Sequence, residues 1–178
     1  MILKCFINGK AVTADISPDM ALLEFVRSQG CYSVKRGCET ANCGLCTVWV
    51  DGTPVLSCST PAMRVEGKKV TTLEGLQKEA EEFAAFLGGE GAEQCGFCSP
   101  GFVMNVLAMV RELDDPTEDE IKEYLAGNLC RYSLISSSVG SSNSRTIAST
   151  FITKPGAQNP HCSAPSPPKN CANSSASF

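Results

Sequence analysis

Four cysteines, Cys38, Cys43, Cys46 and Cys58, stand in the order C-x4-C-x2-C-x11-C, with Gly37 and Gly44 inside the loop that carries the first three. This is the plant-type ligand spacing of a [2Fe-2S] cluster. Two irons bridged by two sulfides need four thiolates converging on one small anionic unit, so three come from a wrapped loop and the fourth from the end of the next hairpin. Glycines keep side chains away and let backbone N–H groups face the sulfurs, which helps set the potential. The competing readings are a zinc loop and four unrelated buried thiols. Zinc usually takes two C-x2-C pairs, whereas the x4-then-x2 wrap occurs once here, so the spacing favours iron and sulfur.

A second group, Cys95-Gly-Phe-Cys98, is a C-x2-C hook immediately before a helix start at Pro100, and Cys130 follows Gly127 past another helix. On spacing alone such a hook serves a redox dithiol, zinc or iron and sulfur equally well.

The elements that must position these thiols are legible from periodicity. Residues 2 to 7, the Asn8-Gly9-Lys10 turn and residues 11 to 15 read as a hairpin. Pro18 and Asp19 introduce a helix from Met20, with Ala21, Leu22, Phe25 and Val26 on one face and Gly30 as its end. Residues 30 to 46 form a Gly- and Cys-rich loop, and a second hairpin turns at Asp51-Gly52 before a short strand at residues 69 to 72. Together these predict a small mixed sheet crossed by one helix, of the ubiquitin-like or ferredoxin kind. The period then changes from two to 3.6: residues 76 to 87, the run from Pro100 through Val110, and a capping box at Thr117 to Glu120 before Ile121 predict a helical second half. The halves are expected to meet near residues 72 to 76.

Composition bounds the setting. The chain has 178 residues, 15 basic and 19 acidic, and a formal charge of −4, which gives no basic field for nucleic acid or an anionic membrane surface. No stretch reaches 18 consecutive apolar residues, and the first residues reach a turn before a signal-peptide core could form, so neither a membrane span nor secretion is expected and the expected location is cytoplasmic. Eleven cysteines in a reducing compartment point to metal rather than disulfides. All 19 acidic residues precede residue 132; beyond it lie 13 serines, five prolines and three basic residues, a tail expected to be mostly disordered. Cys5 and Cys31 read as small core residues, and His161 has no partner ligand beside it. Trp49 and Phe25 are expected in the first core, with Phe97, Phe102 and Met104 shielding the second thiol group.

Arg36-Gly-Cys-Glu-Thr-Ala-Asn-Cys-Gly-Leu-Cys-Thr-Val, Val55-Leu-Ser-Cys58, Gln94-Cys-Gly-Phe-Cys-Ser-Pro-Gly101 and Gly127-Asn-Leu-Cys-Arg131 resemble, in order and spacing, the small iron-sulfur subunit of molybdenum hydroxylases. That family includes xanthine dehydrogenase, aldehyde oxidoreductase and carbon monoxide dehydrogenase. The resemblance implies an α+β architecture: a plant-ferredoxin-like β-grasp domain over residues 1–74, a helical [2Fe-2S]-binding domain over 75–131, and the Ser/Pro-rich tail over 132–178. It implies Cys38, Cys43, Cys46 and Cys58 as ligands of one cluster, Cys95, Cys98 and Cys130 as three ligands of a second, and Gln94 as a contact to the pterin. It further implies a large molybdenum-pterin partner that hydroxylates substrate, a flavin (FAD) partner, and a relay of single electrons between them, with a xanthine-type purine slightly favoured as substrate.

At one place the sequence departs from that pattern. The family's fourth ligand to the second cluster lies two residues after the third, where this chain has Tyr132. A phenol of ordinary pKa about 10 replaces a thiolate of about 8.5 poorly. The second cluster is therefore expected to be absent or labile; Cys162 or Cys171 could supply the ligand only by closing a long loop. A free-standing ferredoxin-like shuttle and a zinc-stabilised module without redox chemistry are the other functional readings. Because acidity, periodicity and resemblance fail together after Arg131, a shifted reading frame is the expected cause. Resequencing and translation of the other two frames should yield Cys-Thr-Gly-Tyr directly after codon 131, and its absence from both would remove this explanation.

Overall fold

The computed structural model describes residues 1–89, 93 and 95–129. Gln94, Cys130, Tyr132, Cys162, Cys171, His161 and the tail lie outside the described residues. Two hairpins build most of the sheet. The first joins β1 (Ile2–Ile7) to β2 (Lys10–Asp15), and the second joins β3 (Thr47–Val50) to β4 (Thr53–Leu56). Both two-residue turns place an Asn or Asp and then a Gly at positive φ, 49° and 79° at Asn8-Gly9 and 51° and 87° at Asp51-Gly52. That geometry matches the right-handed twist of the flanking strands, which is why these dipeptides close hairpins.

A third strand, β5 (Lys69–Thr71), lies between the hairpins, parallel to β1 and antiparallel to β3, giving the order β2-β1-β5-β3-β4. Alternation along β1 sends Leu3, Cys5 and Ile7 inward, where α1 (Leu22–Ser28) covers them with Leu22, Leu23, Phe25 and Val26. The helix begins two residues later than its periodicity suggests. Ala21 has extended backbone and bridges Pro61, so it joins the sheet side rather than the helix face, and Leu23 takes the buried place instead.

The second half packs α2 (Gln77–Gly89), α3 (Ser99–Glu112) and α4 (Glu118–Tyr124) around Phe83, Phe102, Val106, Met109, Ile121 and Leu125. Pro100 occupies the first turn of α3, where a missing N–H costs nothing. Thr117 and Glu120 form the expected capping box at α4. Among the described residues no helix is long and apolar enough to cross a membrane.

The junction between the halves corrects the expected placement of Trp49. Trp49 does not belong to the first core: it packs with Leu76, Met104 and Ala108, its indole N–H donates to the Met104 carbonyl at 3.2 Å, and the Arg111 guanidinium stacks 4.3 Å from its ring centre. Arg111 is also paired with Glu79 on α2. Met104 belongs to this contact, and Phe102 packs in the helical core with its ring 6.1 Å from that of Phe83, while its N–H donates to the Cys98 carbonyl one turn back at 3.2 Å. Phe97 lies 5.9 Å from the Lys35 ammonium.

Below this layer a polar hinge fixes the chain crossing. The Asn8 side chain accepts from the Thr72 N–H and donates to the Thr72 hydroxyl, both at 2.9 Å. Glu74 in turn accepts from the Thr72 and Ser33 hydroxyls and the Ser33 N–H. Burial works upward on the Glu74 carboxyl, but these three donors outweigh it and hold its pKa below 4.5. The closest approach of the two halves is made by glycines. A Cβ on Gly101, in the first turn of α3, would stand 2.6 Å from the Gly44 carbonyl oxygen and 2.7 Å from Leu45 Cα, both backbone atoms.

Two outcomes follow from these contacts. Gly101→Ala must push the halves apart and should cost about 1–3 kcal/mol in denaturant unfolding, whereas Gly88→Ala, with open space around the new methyl on α2, should stabilise by about 0.5 kcal/mol. Glu74→Gln should cost about 1–2 kcal/mol at pH 7. A carboxylate with a depressed folded pKa stabilises fully above its unfolded value of 4.5 and loses that contribution as pH falls through the folded value, so the cost should shrink towards acid pH in unfolding measured from pH 7 to 3.

Candidate iron-sulfur site

The loop between α1 and β3 is held at both margins before it can shape a site. Arg27 donates to the Val34 carbonyl at 2.7 Å, and the Lys35 N–H donates to the Leu45 carbonyl at 3.2 Å. Gly37 leaves room for the inner wall: a Cβ there would lie 2.6 Å from a Leu45 methyl and 3.2 Å from Cys43 Sγ. The segment carrying Cys58 is tied to Cys46 by buried Ser57, whose hydroxyl and N–H both donate to the Cys46 carbonyl, at 2.6 and 3.3 Å. Nothing in the sequence distinguished Ser57 from an ordinary strand-end serine.

The four thiols meet as two pairs. Cys43 donates to Cys38, and Cys58 donates to Cys46, with Cys38 close enough to act on Cys58 through its charge. Among the described residues no three Cys, His, Asp or Glu side chains converge on one point. Two pairs, three thiols from the loop and Cys58 from the end of the second hairpin, match the demand of two irons at two thiolates each.

Backbone amides are aimed at the sulfurs. The Asn42 N–H donates to Cys38 Sγ at 3.4 Å, joined by the Thr40 and Cys43 N–H groups; although desolvation works upward, these donors bring the Cys38 thiol down to about 6. The Leu45 N–H serves Cys43, and the Ala41 N–H serves Cys58. Ala41 reaches its sulfur only by adopting φ 52°, a left-handed conformation that costs a non-glycine residue about 1–2 kcal/mol. Burial, then the neighbouring thiols, pushes Cys43 upward and Cys58 to about 11. Metal binding here would draw on a thiolate at Cys38 and would have to release protons from Cys43 and Cys58. Preset N–H donors, converging sulfurs and a glycine wall fit a [2Fe-2S] unit.

Cys5 and Cys31 lie in the first core as expected, and burial raises both thiols. Cys98 is the residue before the first turn of α3, and Gly96, between it and Cys95, takes φ 67°. The backbone that follows this hook lies against the first loop. Gly101 touches Gly44 and Leu45, and the Leu129 N–H donates to the Cys43 carbonyl at 3.0 Å. Gly44 at φ 70° leaves no room for a side chain either, since its Cβ would stand 2.6 Å from Asn128 Oδ1.

Two family profiles match the chain, one described as a 2Fe-2S iron-sulfur cluster binding domain over residues 5–81 and one as a [2Fe-2S] binding domain over residues 72–142. The xanthine dehydrogenase iron-sulfur-binding subunit of Escherichia coli O157:H7 is 44% identical over 133 residues, covering 72% of this chain and 84% of the relative. The nicotinate dehydrogenase small FeS subunit of Eubacterium barkeri is 37% identical, covering 70% and 82%. Among solved structures, quinoline 2-oxidoreductase from Pseudomonas putida 86 superposes with a TM-score of 0.71 at 31% identity, over 85% of this chain and 95% of that one. With both profiles, the thiol spacing and the sheet order in agreement, the chain belongs to the small iron-sulfur, electron-transferring subunits of the molybdenum hydroxylase family.

Proposed function

We propose that this chain carries single electrons from a large molybdenum-pterin subunit to a flavin subunit or another acceptor, using a [2Fe-2S] cluster held by Cys38, Cys43, Cys46 and Cys58. The observation that carries this reading is the pairing of three loop thiols with Cys58 at the end of the second hairpin, with backbone N–H groups already directed at three of the four. When bound, a [2Fe-2S] cluster supplies one-electron acceptance at a potential set by hydrogen bonds, charge and burial. This chain's residues do the placing: Asn42, Thr40, Leu45 and Ala41 direct donors at sulfur, Gly37 and Leu45 wall the inner side, and Ser57 keeps Cys58 beside Cys46.

Cys95, Cys98 and Cys130 are the proposed ligands of a second cluster, with Gln94 contacting the pterin across the subunit interface. Their support is the family match through residue 142, the seating of the first turn of α3 against the first loop at Gly101, and the Phe97 ring, between the two cysteines, 5.9 Å from the Lys35 ammonium. With Tyr132 in the fourth position, that second cluster is weakly held or missing. A xanthine-type purine is the favoured substrate of the assembly, supported by the 44% identity to a xanthine dehydrogenase subunit; relatives named for nicotinate and quinoline share the same architecture.

Iron and acid-labile sulfide per chain, with low-temperature EPR of the reduced, anaerobically purified protein, test this directly. Two irons, two sulfides and one [2Fe-2S] signal are expected. Four irons with two distinct signals would overturn the weak second site. A colourless protein holding zinc would overturn the redox reading altogether.

A further inference from the structure

Asn105 is a half-buried polar residue on α3 that faces the first ligand loop. It lies one helical turn beyond Gly101, the residue whose missing side chain lets Gly44 and Leu45 touch the helix. Its carboxamide nitrogen lies 2.8 Å from Asn128 Oδ1, 3.1 Å from Thr47 Oγ1 and 3.1 Å from the Gly101 carbonyl, so its two protons serve three acceptors.

The direction of the Thr47 bond follows from proton counting. Thr47 has one hydroxyl proton, and it is given to the Gly44 carbonyl at 2.8 Å. The hydroxyl oxygen must then accept from Asn105. Gly44 C=O and Leu45 N–H belong to one peptide group, and that Leu45 N–H is the donor to the Cys43 sulfur. A carbonyl that accepts a hydrogen bond polarises its own peptide and strengthens the N–H on the other side. The chain is continuous: Asn105 N–H to Thr47 O–H, to the Gly44–Leu45 peptide, to sulfur.

Resting on the proposed first cluster, we propose that Asn105 is a positioning residue that tunes that cluster's potential through this hydrogen-bond chain. A stronger N–H donor at a ligand sulfur stabilises the more negatively charged reduced cluster and so raises the potential. The same carboxamide holds Asn128, two residues before Cys130, so the helix after Cys98 adjusts a cluster in the other half of the chain without touching its ligands.

The test uses the full chain and three variants: Asn105→Leu, near in size but unable to donate; Thr47→Val, which keeps the shape and deletes the hydroxyl; and both together. EPR-monitored redox titration of the first cluster is the readout. At the wild-type midpoint, each single variant should hold about threefold less reduced cluster than the wild type. The double variant should shift no further than Thr47→Val, because Asn105 acts through the Thr47 hydroxyl and has no effect once that is gone. Unchanged midpoints in variants whose unfolding resistance falls would reduce Asn105 to a packing residue and overturn the proposal, as would independent shifts that add. Should Asn105→Leu fail to accumulate, Thr47→Val carries the same readout. A wild-type protein without any [2Fe-2S] signal would instead remove the underlying function, and this inference with it.

Discussion

The closeness of two pieces of backbone governs the rest of this structure. Gly44 and Leu45 lie against Gly101 with no space for even a methyl group, and the loop and the helix that meet there each carry a set of cysteines. Side chains cannot bring two ligand loops so near, because every Cβ adds distance and flexibility. Glycine on both sides removes that spacer, at the cost of backbone entropy that the surrounding packing must offset. The Trp49–Arg111 stack, the Trp49 bond to Met104 and the Asn8–Thr72–Glu74–Ser33 network act as that packing. They clamp the two halves at either margin of the glycine contact.

Electrostatics inside the first loop follow from the same economy. Backbone N–H groups serve the sulfurs although the loop also carries donor side chains, and Ala41 takes a left-handed conformation where its N–H serves Cys58. Peptide dipoles cannot titrate, carry no rotamer entropy and move only with the chain. A potential set by them is as stable as the loop geometry, and that geometry is fixed from outside by Arg27, Ser57 and Thr47.

Both hairpins were legible because Asn-Gly and Asp-Gly permit turns that other dipeptides resist, and α4 was legible because Thr117 and Glu120 satisfy each other's backbone donors locally. Local causes leave local signals. Trp49 was misplaced because alternation along β3 says only that one face is covered, not by which half; the covering residues, Leu76, Met104 and Ala108, lie 27 to 59 positions away. Ala21 was read into the helix by its period, while the partner that drew it out, Pro61, is 40 positions distant. Asn105 carried no signal whatever, as one polar residue in an apolar helix ordinarily marks the solvent face. The four-thiol spacing was readable because metal chemistry imposes it, but the N–H groups that serve those thiols belong to whichever residues the loop happens to present.

The strand order bears on how such a protein can be made. β5, the last of the five described strands to be synthesised, forms the seam between the two hairpins, since β1 and β3 each pair with it and not with one another. Until residue 71 has left the ribosome, the hairpins have no shared partner and the cysteine loop spans two unconnected ribbons. Long-range parallel pairing of this kind is slow relative to hairpin closure. During that interval Cys38, Cys43 and Cys46 belong to a nascent segment open to oxidants and stray metal ions. Closure of the sheet around the cysteine loop thus waits on residue 71, the end of the strand that joins the two ribbons.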